Sequence, residues 1–192
     1  KITSMKNSKD QDYKDDRKWT ILSSEYLIRR PWLTARRDHV KLPTGAELPE
    51  YYVLEYPDWI NVIAITEDGR FVLVRQYRHA LGRTCYELCA GVCEKGEEPI
   101  ESAKRELLEE TGFGGGEWHE LMVTSANAST MTNLTHSFLA TGVMKISEQH
   151  LEAGEDLSVH VFSKTEVLAM LDRGEFVQSL MLAPLWKYFA KE

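Results

Sequence analysis

Apolar positions in the first third of the chain form short runs that are typical of strands. Residues 1–18 contain almost nothing to bury, which predicts a flexible leader. Beyond it, Trp19–Ile28, Trp32–Leu42 and Tyr51–Tyr56 are rich in β-branched and aromatic residues, so they predict three strands. We expect a small antiparallel sheet over residues 19–57. Three strands bury too little to be stable alone, so this unit has to pack on something else.

The remainder, residues 58–192, mixes strand patterns with helix patterns. Trp59–Ile65 is nearly all apolar, as expected of a strand buried on both faces, and Asp68-Gly69 predicts a hairpin to Phe71–Tyr77. Four further runs predict strands: Tyr86–Val92, His119–Thr124, His136–Thr141 and Leu157–Phe162. Strands and helices in this order predict an α/β or α+β protein.

The first predicted helix has clear signals at both ends. Pro99 suits a first helical turn, and Gly112 suits a C-terminal cap. Between them, Ile100, Ala103 and Leu107 recur at the spacing of one helix face. We therefore expect this helix to pack its apolar face on the sheet.

Two more helices are expected near the C-terminus. Ser163 and Glu166 form a capping box for a helix that continues through Arg173. A last helix is expected over Ser179–Ala190, where Pro184 leaves the starting residue open, since proline breaks helix interiors.

Composition and charge exclude several function classes. The chain has 30 acidic and 23 basic residues and a net charge of -7, which argues against a general nucleic-acid binder. Its longest apolar runs are far shorter than a membrane span needs, so we expect no membrane partner. The three cysteines, Cys85, Cys89 and Cys93, lie four residues apart and fit neither a disulfide framework nor a CxxC pair. Reduced thiols predict a cytoplasmic protein.

The first helix also carries a cluster of carboxylates. Glu106 and Glu110 are one turn apart on a shared face, and Glu109 lies at the adjacent rim. Such like charges destabilise an exposed helix, whereas a hard cation such as Mg²⁺ takes carboxylate oxygens as ligands. Arg105 lies four residues before Glu109 and four after Glu101, so it can pair with either. The cluster therefore predicts a magnesium site.

The segment around these glutamates resembles the Nudix box, which reads G, five residues, E, seven residues, then REUxEExGU with U apolar. Every defined position matches: Gly91, Glu97, Arg105, Glu106, Leu107, Glu109, Glu110, Gly112 and Phe113. The resemblance implies a Nudix hydrolase over residues 58–192, folded as an α/β/α sandwich with a mixed sheet. It implies cleavage of a nucleoside diphosphate linked to another moiety, with Mg²⁺ as cofactor and Mn²⁺ as the alternative ion.

Roles of individual residues follow from the same resemblance. The implied metal ligands are Glu106, Glu109, Glu110 and the backbone carbonyl of Ala90. Glu109 and Arg105 are also implied catalytic residues. Divalent ions neutralise the diphosphate and lower the pKa of the attacking water.

Beyond the box, the chain is similar to the ADP-ribose pyrophosphatase branch of the family. The similarity rests on the N-terminal sheet and on three segments: Arg75-Gln76-Tyr77-Arg78, Tyr86 to Gly91, and Gly154 to Val159. It implies a homodimer formed through residues 19–57. It also implies a general base on the loop before the last helices, where Glu155 is preferred over Glu152.

Substrate contacts are implied in the same way. Arg78 resembles an arginine that contacts the phosphates, and Glu87 resembles a residue near the nucleoside. An aromatic side chain near the N-terminal sheet stacks the nucleobase in this branch, and Trp32, Tyr26 or Tyr51 is the candidate here.

One loop departs from the branch. Its members carry proline in the loop after the box, and residues 125–133 contain none, which leaves that backbone less restricted. ADP-ribose, cleaved to AMP and ribose 5-phosphate, is the favoured substrate, with GDP-mannose or another nucleotide sugar as the alternative. A different class, a Nudix-fold nucleotide sensor without turnover, is disfavoured because Glu106, Glu109 and Glu110 are all present.

Overall fold

A computed structural model describes residues 16–191, so most of the predicted leader lies outside the described residues. Contacts divide the chain into two compact units, with the division between Glu55 and Tyr56. We call them the N-terminal unit and the C-terminal unit. No helix within residues 16–191 has the length and apolar character needed to cross a membrane.

The N-terminal unit is a three-stranded antiparallel sheet in the order β1-β2-β3. Its strands are β1 (Thr20–Arg30), β2 (Leu33–Lys41) and β3 (Glu47–Glu55). β1 runs two residues further than predicted, because Arg30 pairs with Leu33 and leaves only Pro31 and Trp32 for the turn. The third strand starts earlier than expected, since Glu47 already pairs with Lys41. Local residue preference alone does not show these pairings.

Side chains inside this unit form a polar network. Asp38 is buried and accepts hydrogen bonds from Ser24 Oγ at 2.6 Å and from Arg36 Nε at 3.0 Å. Arg36 also pairs with Glu55 on β3. The network therefore ties all three strands together, since a buried carboxylate needs partners of this kind.

The C-terminal unit contains a mixed sheet of eight strands. They are β4 (Trp59–Thr66), β5 (Phe71–Arg78), β6 (Arg83–Glu87), β7 (Cys89–Val92), β8 (Phe113–Gly114), β9 (Glu117–Thr124), β10 (Thr135–Lys145) and β11 (Leu157–Phe162). The main path is β11-β5-β4-β10-β8, with β6 on β5, β7 on β4 and β9 on β10. β4 and β10 are parallel and the other pairs are antiparallel. The predicted class, mixed α and β, is confirmed.

The sheet splits between β4 and β5. These strands pair only at Ala64 and Ile65, while the first half of β4 pairs with β7 and the second half of β5 pairs with β6. The single strand predicted over Tyr86–Val92 is therefore two strands, interrupted at Leu88, because the chain changes partner there. The split places β7 beside the first helix.

Helices cover both faces of this sheet. α1 (Pro99–Thr111) packs on one face, while α2 (Lys164–Asp172) and α3 (Ser179–Phe189) pack on the other. Side chains of alternate β4 residues pack on opposite faces of the sheet. Val62 packs under α1, and Ile63 packs under α2 and α3. The result is an α/β/α arrangement with two hydrophobic layers.

The helix ends follow the sequence signals closely. Gly112 caps α1 with a φ of 70°, and its N–H bonds the Leu108 carbonyl. Ser163 Oγ accepts from the Glu166 N–H, and the Glu166 carboxylate accepts from the Ser163 N–H, so the predicted capping box forms.

Pro184 lies inside α3, where a proline leaves one carbonyl without its usual donor. A helical residue at that position would donate to the Leu180 carbonyl, and proline has no N–H. The Asn61 Nδ2 of β4 donates to this carbonyl at 2.9 Å instead. A buried side chain on the sheet thus replaces the missing helix hydrogen bond.

This replacement predicts coupling between Asn61 and Pro184. Asn61→Leu should lower the free energy of unfolding by about 1–3 kcal/mol, because it leaves a buried carbonyl unpaired. With Pro184→Ala in the same chain, the backbone N–H of residue 184 can donate to the Leu180 carbonyl. The free energy of unfolding that Asn61→Leu removes should then be smaller by about 1 kcal/mol. Urea unfolding of the two single variants and the double variant measures the coupling. Strictly additive losses would contradict it.

Candidate active site

Three acidic residues, Glu106, Glu109 and Glu110, lie in the C-terminal half of α1. Glu106 and Glu110 face the sheet and are largely buried, whereas Glu109 is at the rim with 43% of its side chain exposed. Gly91 on β7 makes room for Glu106, since a Cβ at Gly91 would lie 2.1 Å from Glu106 Cδ. Glu106 and Glu110 therefore share the sheet-facing side of the helix, and Glu109 lies at its edge.

Arg105 connects the members of this cluster. Its guanidinium donates to Glu106 Oε1 at 2.9 Å, to Glu109 Oε2 at 3.1 Å and to both oxygens of Glu97. It also donates to the Val92 carbonyl at 3.2 Å, which links α1 to β7. One cation therefore orients three carboxylates.

The alternative pairing of Arg105 with Glu101 is wrong. Glu101 pairs with Lys104 on the exposed side of the helix. Arg105 turns toward the loop before α1, where Glu97 lies, because that direction also brings it to β7. The pKa of Glu97 is lowered to about 2, mainly by its hydrogen bonds from Arg105. Spacing along a helix could not reveal this partner, because Glu97 precedes the helix.

Burial dominates the electrostatics of Glu110. Loss of solvent raises the pKa of its carboxyl to about 7, although the Cys89 thiol and the Ala90 N–H lower it in part. The Ala90 N–H donates to Glu110 Oε2 at 3.2 Å. Burial raises the pKa of Glu106 as well. Both carboxylates lack the solvation that an isolated negative charge needs.

The donor set fits a hard divalent cation. It consists of carboxylate oxygens and a strand carbonyl, which are the ligands Mg²⁺ and Mn²⁺ accept. Glu109 and Glu110 also stand at the C-terminal end of α1, where the helix dipole disfavours negative charge. Within residues 16–191, no three acidic, histidine or cysteine side chains converge as a metal cluster, and the glutamate oxygens contact Arg105 and Ala90 instead.

A second charged pair lies at the end of β5. Arg78 Nε donates to the buried Glu87 at 2.9 Å and 3.1 Å, and its Nη2 also contacts that carboxylate. Gln76 Nε2 adds a hydrogen bond to Glu87 at 3.2 Å. The hydrogen bonds that Arg78 donates to Glu87 raise the pKa of Arg78 most, and the charge of Glu110 raises it further. Arg78 is six residues from Val72, which packs in the layer under α1, so strand alternation places Arg78 on the α1 side of the sheet.

Gln76 was not among the candidates from the sequence. Strand alternation could have indicated it, because Gln76 and Arg78 are two residues apart on β5 and point to the same face. The antiparallel pairing that brings Glu87 to them could not be read from the sequence.

Glu155 lies on the exposed segment between β10 and β11. Its carboxylate accepts from the Glu152 N–H at 2.8 Å, which closes a short turn. The charge of Glu155 contributes to the raised pKa of both Glu106 and Glu110, after the larger effect of burial.

The three aromatic candidates lie in the N-terminal unit in different settings. Trp32 occupies the β1–β2 turn and is 80% exposed. The Tyr26 ring is covered by the Arg29 guanidinium at 3.6 Å from the ring centroid, and Tyr51 packs edge-on against Trp19. Trp32 therefore offers the most accessible aromatic face of the three.

Comparisons with known proteins agree with this architecture. Residues 19–54 match the nucleoside diphosphate sugar hydrolase N-terminal domain, and residues 56–181 match the NUDIX domain. The chain is 32% identical to an ADP-ribose pyrophosphatase of Mycobacterium tuberculosis over 165 residues, which cover 84% of this chain and 79% of that protein. It is 34% identical to an ADP-ribose pyrophosphatase of Bacillus subtilis over 128 residues, with 67% and 68% covered.

A solved structure extends the comparison to the fold. The crystal structure of an ADP compounds hydrolase superposes with a TM-score of 0.79 and covers 91% of this chain and 94% of its own. Its sequence is 21% identical, so this likeness concerns the fold.

The raised pKa of Glu110 predicts how stability depends on pH without metal. The folded state holds this proton up to about pH 7, while the unfolded chain releases it near the ordinary value of 4.5. This contribution to stability is therefore complete below pH 4.5 and lost as pH rises through 7, and the difference between the two pKa values makes it about 3 kcal/mol. Urea unfolding in EDTA at pH 4.5 and 8 should show a loss about 3 kcal/mol larger for the wild type than for Glu110→Gln. Equal losses in both proteins would contradict the assignment.

Proposed function

Since the chain belongs to the Nudix family and is a hydrolase of pyrophosphate bonds, we propose that it cleaves ADP-ribose to AMP and ribose 5-phosphate. The observation that carries this proposal is the pairing of Glu106 and Glu109 with Arg105 next to the buried Glu110, with Arg78 paired to Glu87 on the α1 side of the sheet. A carboxylate cluster beside a cationic side chain suits a diphosphate that arrives with a divalent metal.

We assign the metal to Glu106, Glu109, Glu110 and the Ala90 carbonyl, with Mg²⁺ as the preferred ion and Mn²⁺ as the alternative. When bound, such an ion neutralises phosphate charge and lowers the pKa of a bound water. Arg105 holds the carboxylates of Glu106 and Glu109 in place.

Glu155 is the proposed general base. Its carboxylate takes a proton from the attacking water, whose oxygen then bonds to one phosphorus of the diphosphate. The bond from that phosphorus to the bridging oxygen breaks, and the bridging oxygen leaves with the other phosphate. An exposed loop carboxylate can both reach the water and release its proton to solvent. Glu152 is the alternative base, since its side chain is exposed on the same loop.

Arg78 is the proposed phosphate contact. It uses Nε and Nη2 to bind Glu87, which leaves Nη1 to donate to a phosphate oxygen. Glu87 is buried, so we assign it to orienting Arg78 at the edge of the nucleoside position. Trp32 is the preferred nucleobase-stacking residue because its ring is accessible, and the stacking roles of Tyr26 and Tyr51 stay predictions.

The loop over residues 125–133 supports a second candidate substrate. Asn127 forms its turn in place of a proline, since the Asn127 carbonyl accepts from Thr130 and Met131 N–H and its side chain accepts from Ser129. A turn with a different backbone can favour a different sugar. GDP-mannose or another nucleotide sugar is therefore the second candidate.

Homodimer formation through the N-terminal unit is also proposed. Every residue of β1 is exposed in the single chain. Six large apolar side chains stand among them or just before them: Trp19, Ile21, Leu22, Tyr26, Leu27 and Ile28. A contiguous exposed apolar strand of this kind marks an interaction surface. The cytoplasmic location stays a prediction, consistent with free thiols at Cys85, Cys89 and Cys93.

The substrate assignment is tested by hydrolysis with Mg²⁺ and a panel of ADP-ribose, GDP-mannose, other nucleotide sugars, dinucleotides and nucleoside triphosphates. We expect ADP-ribose to give the highest kcat/KM, with AMP and ribose 5-phosphate separated by ion exchange. A faster nucleotide sugar would keep the reaction and replace the substrate. Binding without product beyond one equivalent of protein would favour the sensor hypothesis.

The metal assignment is tested in the same assay by a matched pair of variants. Glu110→Gln should lower kcat at least about 100-fold, because it removes one charge from the proposed ligand set. Glu101→Gln changes an exposed glutamate of the same helix that pairs with Lys104, so it should retain activity. Equal activity of both variants would remove Glu110 from the metal site.

The oligomeric state is tested by light scattering after size exclusion. We expect a mass twice that of the 22.1 kDa chain. Ile21→Lys and Leu27→Lys together should shift the mass to that of one chain, because they place charge on the β1 surface. A wild-type protein with the mass of one chain would contradict the dimer.

A further inference from the structure

The C-terminal end of α1 is held by a segment far along the chain. An α-helix leaves its last four carbonyls without partners, and here these belong to Leu108, Glu109, Glu110 and Thr111. The Gly112 N–H donates to the Leu108 carbonyl. The other three carbonyls accept hydrogen bonds from residues 145–150, which we call the strap.

The strap makes these bonds with both side chains and backbone. Lys145 Nζ donates to the Thr111 carbonyl at 3.0 Å, Gln149 Nε2 to the Glu110 carbonyl at 2.7 Å and the His150 N–H to the Glu109 carbonyl at 2.9 Å. Two further strap amides, of Ile146 and Ser147, bond the Gly112 carbonyl. Lys145 also brings positive charge to the negative end of the helix dipole.

The contact between strap and helix is too close for a side chain at Gly112. A Cβ there would lie 2.1 Å from the Ser147 carbonyl oxygen. Gly112 is therefore needed for this approach in addition to its left-handed φ.

The strap leads directly into the segment that carries Glu155. Residues 151–156 join His150, fixed to α1, to Leu157, which pairs with Gln76 on β5. With both ends anchored, this six-residue segment has little freedom in where it places Glu155. The anchor on the helix side is the backbone of Glu109 and Glu110, whose side chains belong to the acidic cluster.

We propose that the strap sets the position of Glu155 relative to Glu106 and Glu110, and that Gln149 is the positioning residue. The proposal rests on the proposed role of Glu155 as general base. Gln149 is preferred over Lys145 because it lies next to the Glu155 segment and because its amide is bonded to the backbone of a proposed metal ligand.

The test is a double-mutant cycle between Gln149 and Glu155 in the full chain. Gln149→Leu keeps the size of the side chain and removes the donor, and we expect kcat to fall about tenfold with KM within about threefold. Gln149→Lys, which keeps a donor on an unbranched stem, should recover most of that loss. Glu148→Ala is the matched control, because Glu148 is an exposed strap residue.

The cycle separates the two proposals. If Gln149 acts through Glu155, Gln149→Leu should cost nothing further in a chain that already carries Glu155→Gln. Losses that multiply would overturn the strap proposal and leave Glu155 as the base. Full activity of Glu155→Gln would overturn the base assignment, and the strap proposal would fall with it.

A readout without metal or substrate provides the second measurement. Amide hydrogen exchange in EDTA should become at least about tenfold faster at His150, Glu152 and Glu155 in Gln149→Leu, because the helix-side anchor is weakened. The interior of α1, represented by Leu107, should exchange as in the wild type. Unchanged exchange across residues 150–155 would overturn the proposal.

Discussion

The candidate site depends on the hydrogen bonds that Arg105 donates. Three carboxylates, from Glu97, Glu106 and Glu109, share this guanidinium, and a fourth from Glu110 lies beside them with little solvent. Such a concentration of negative charge is unfavourable in a low-dielectric setting unless a cation is present. Arg105 supplies part of that compensation within the protein itself. The proposed divalent ion would supply the rest.

The rest of the C-terminal unit can be understood as support for this arrangement. The split between β4 and β5 brings β7 alongside α1, so that Gly91 can admit Glu106 and Ala90 can meet Glu110. Acidic residues at the negative end of a helix dipole weaken that end. The hydrogen bonds from residues 145–150 offset this weakness, since they satisfy carbonyls that would otherwise be unpaired.

Local chemistry made much of this structure predictable from the sequence. Pro99 and Gly112 marked the ends of α1, Ser163 and Glu166 marked the start of α2, and the spacing of the box placed the glutamates on one face. The interruption at Leu88, the Arg105–Glu97 pair and the bonds of Gln149 were not predictable. Each depends on partners that only the folded sheet brings together, so neither periodicity nor residue preference contains the information.

The bond from Asn61 to the Leu180 carbonyl also bears on how this sequence can change over evolution. Asn61 on β4 donates to the Leu180 carbonyl, which Pro184 on α3 leaves without its usual helix donor. The two residues should therefore change together in evolution, although they lie far apart in the sequence. A drift from proline to an ordinary residue at 184 would release position 61 from its polar requirement. A chimera that receives α3 from a relative with no such proline would inherit an unmatched asparagine in its core. Grafts between homologues should therefore exchange β4 and α3 together.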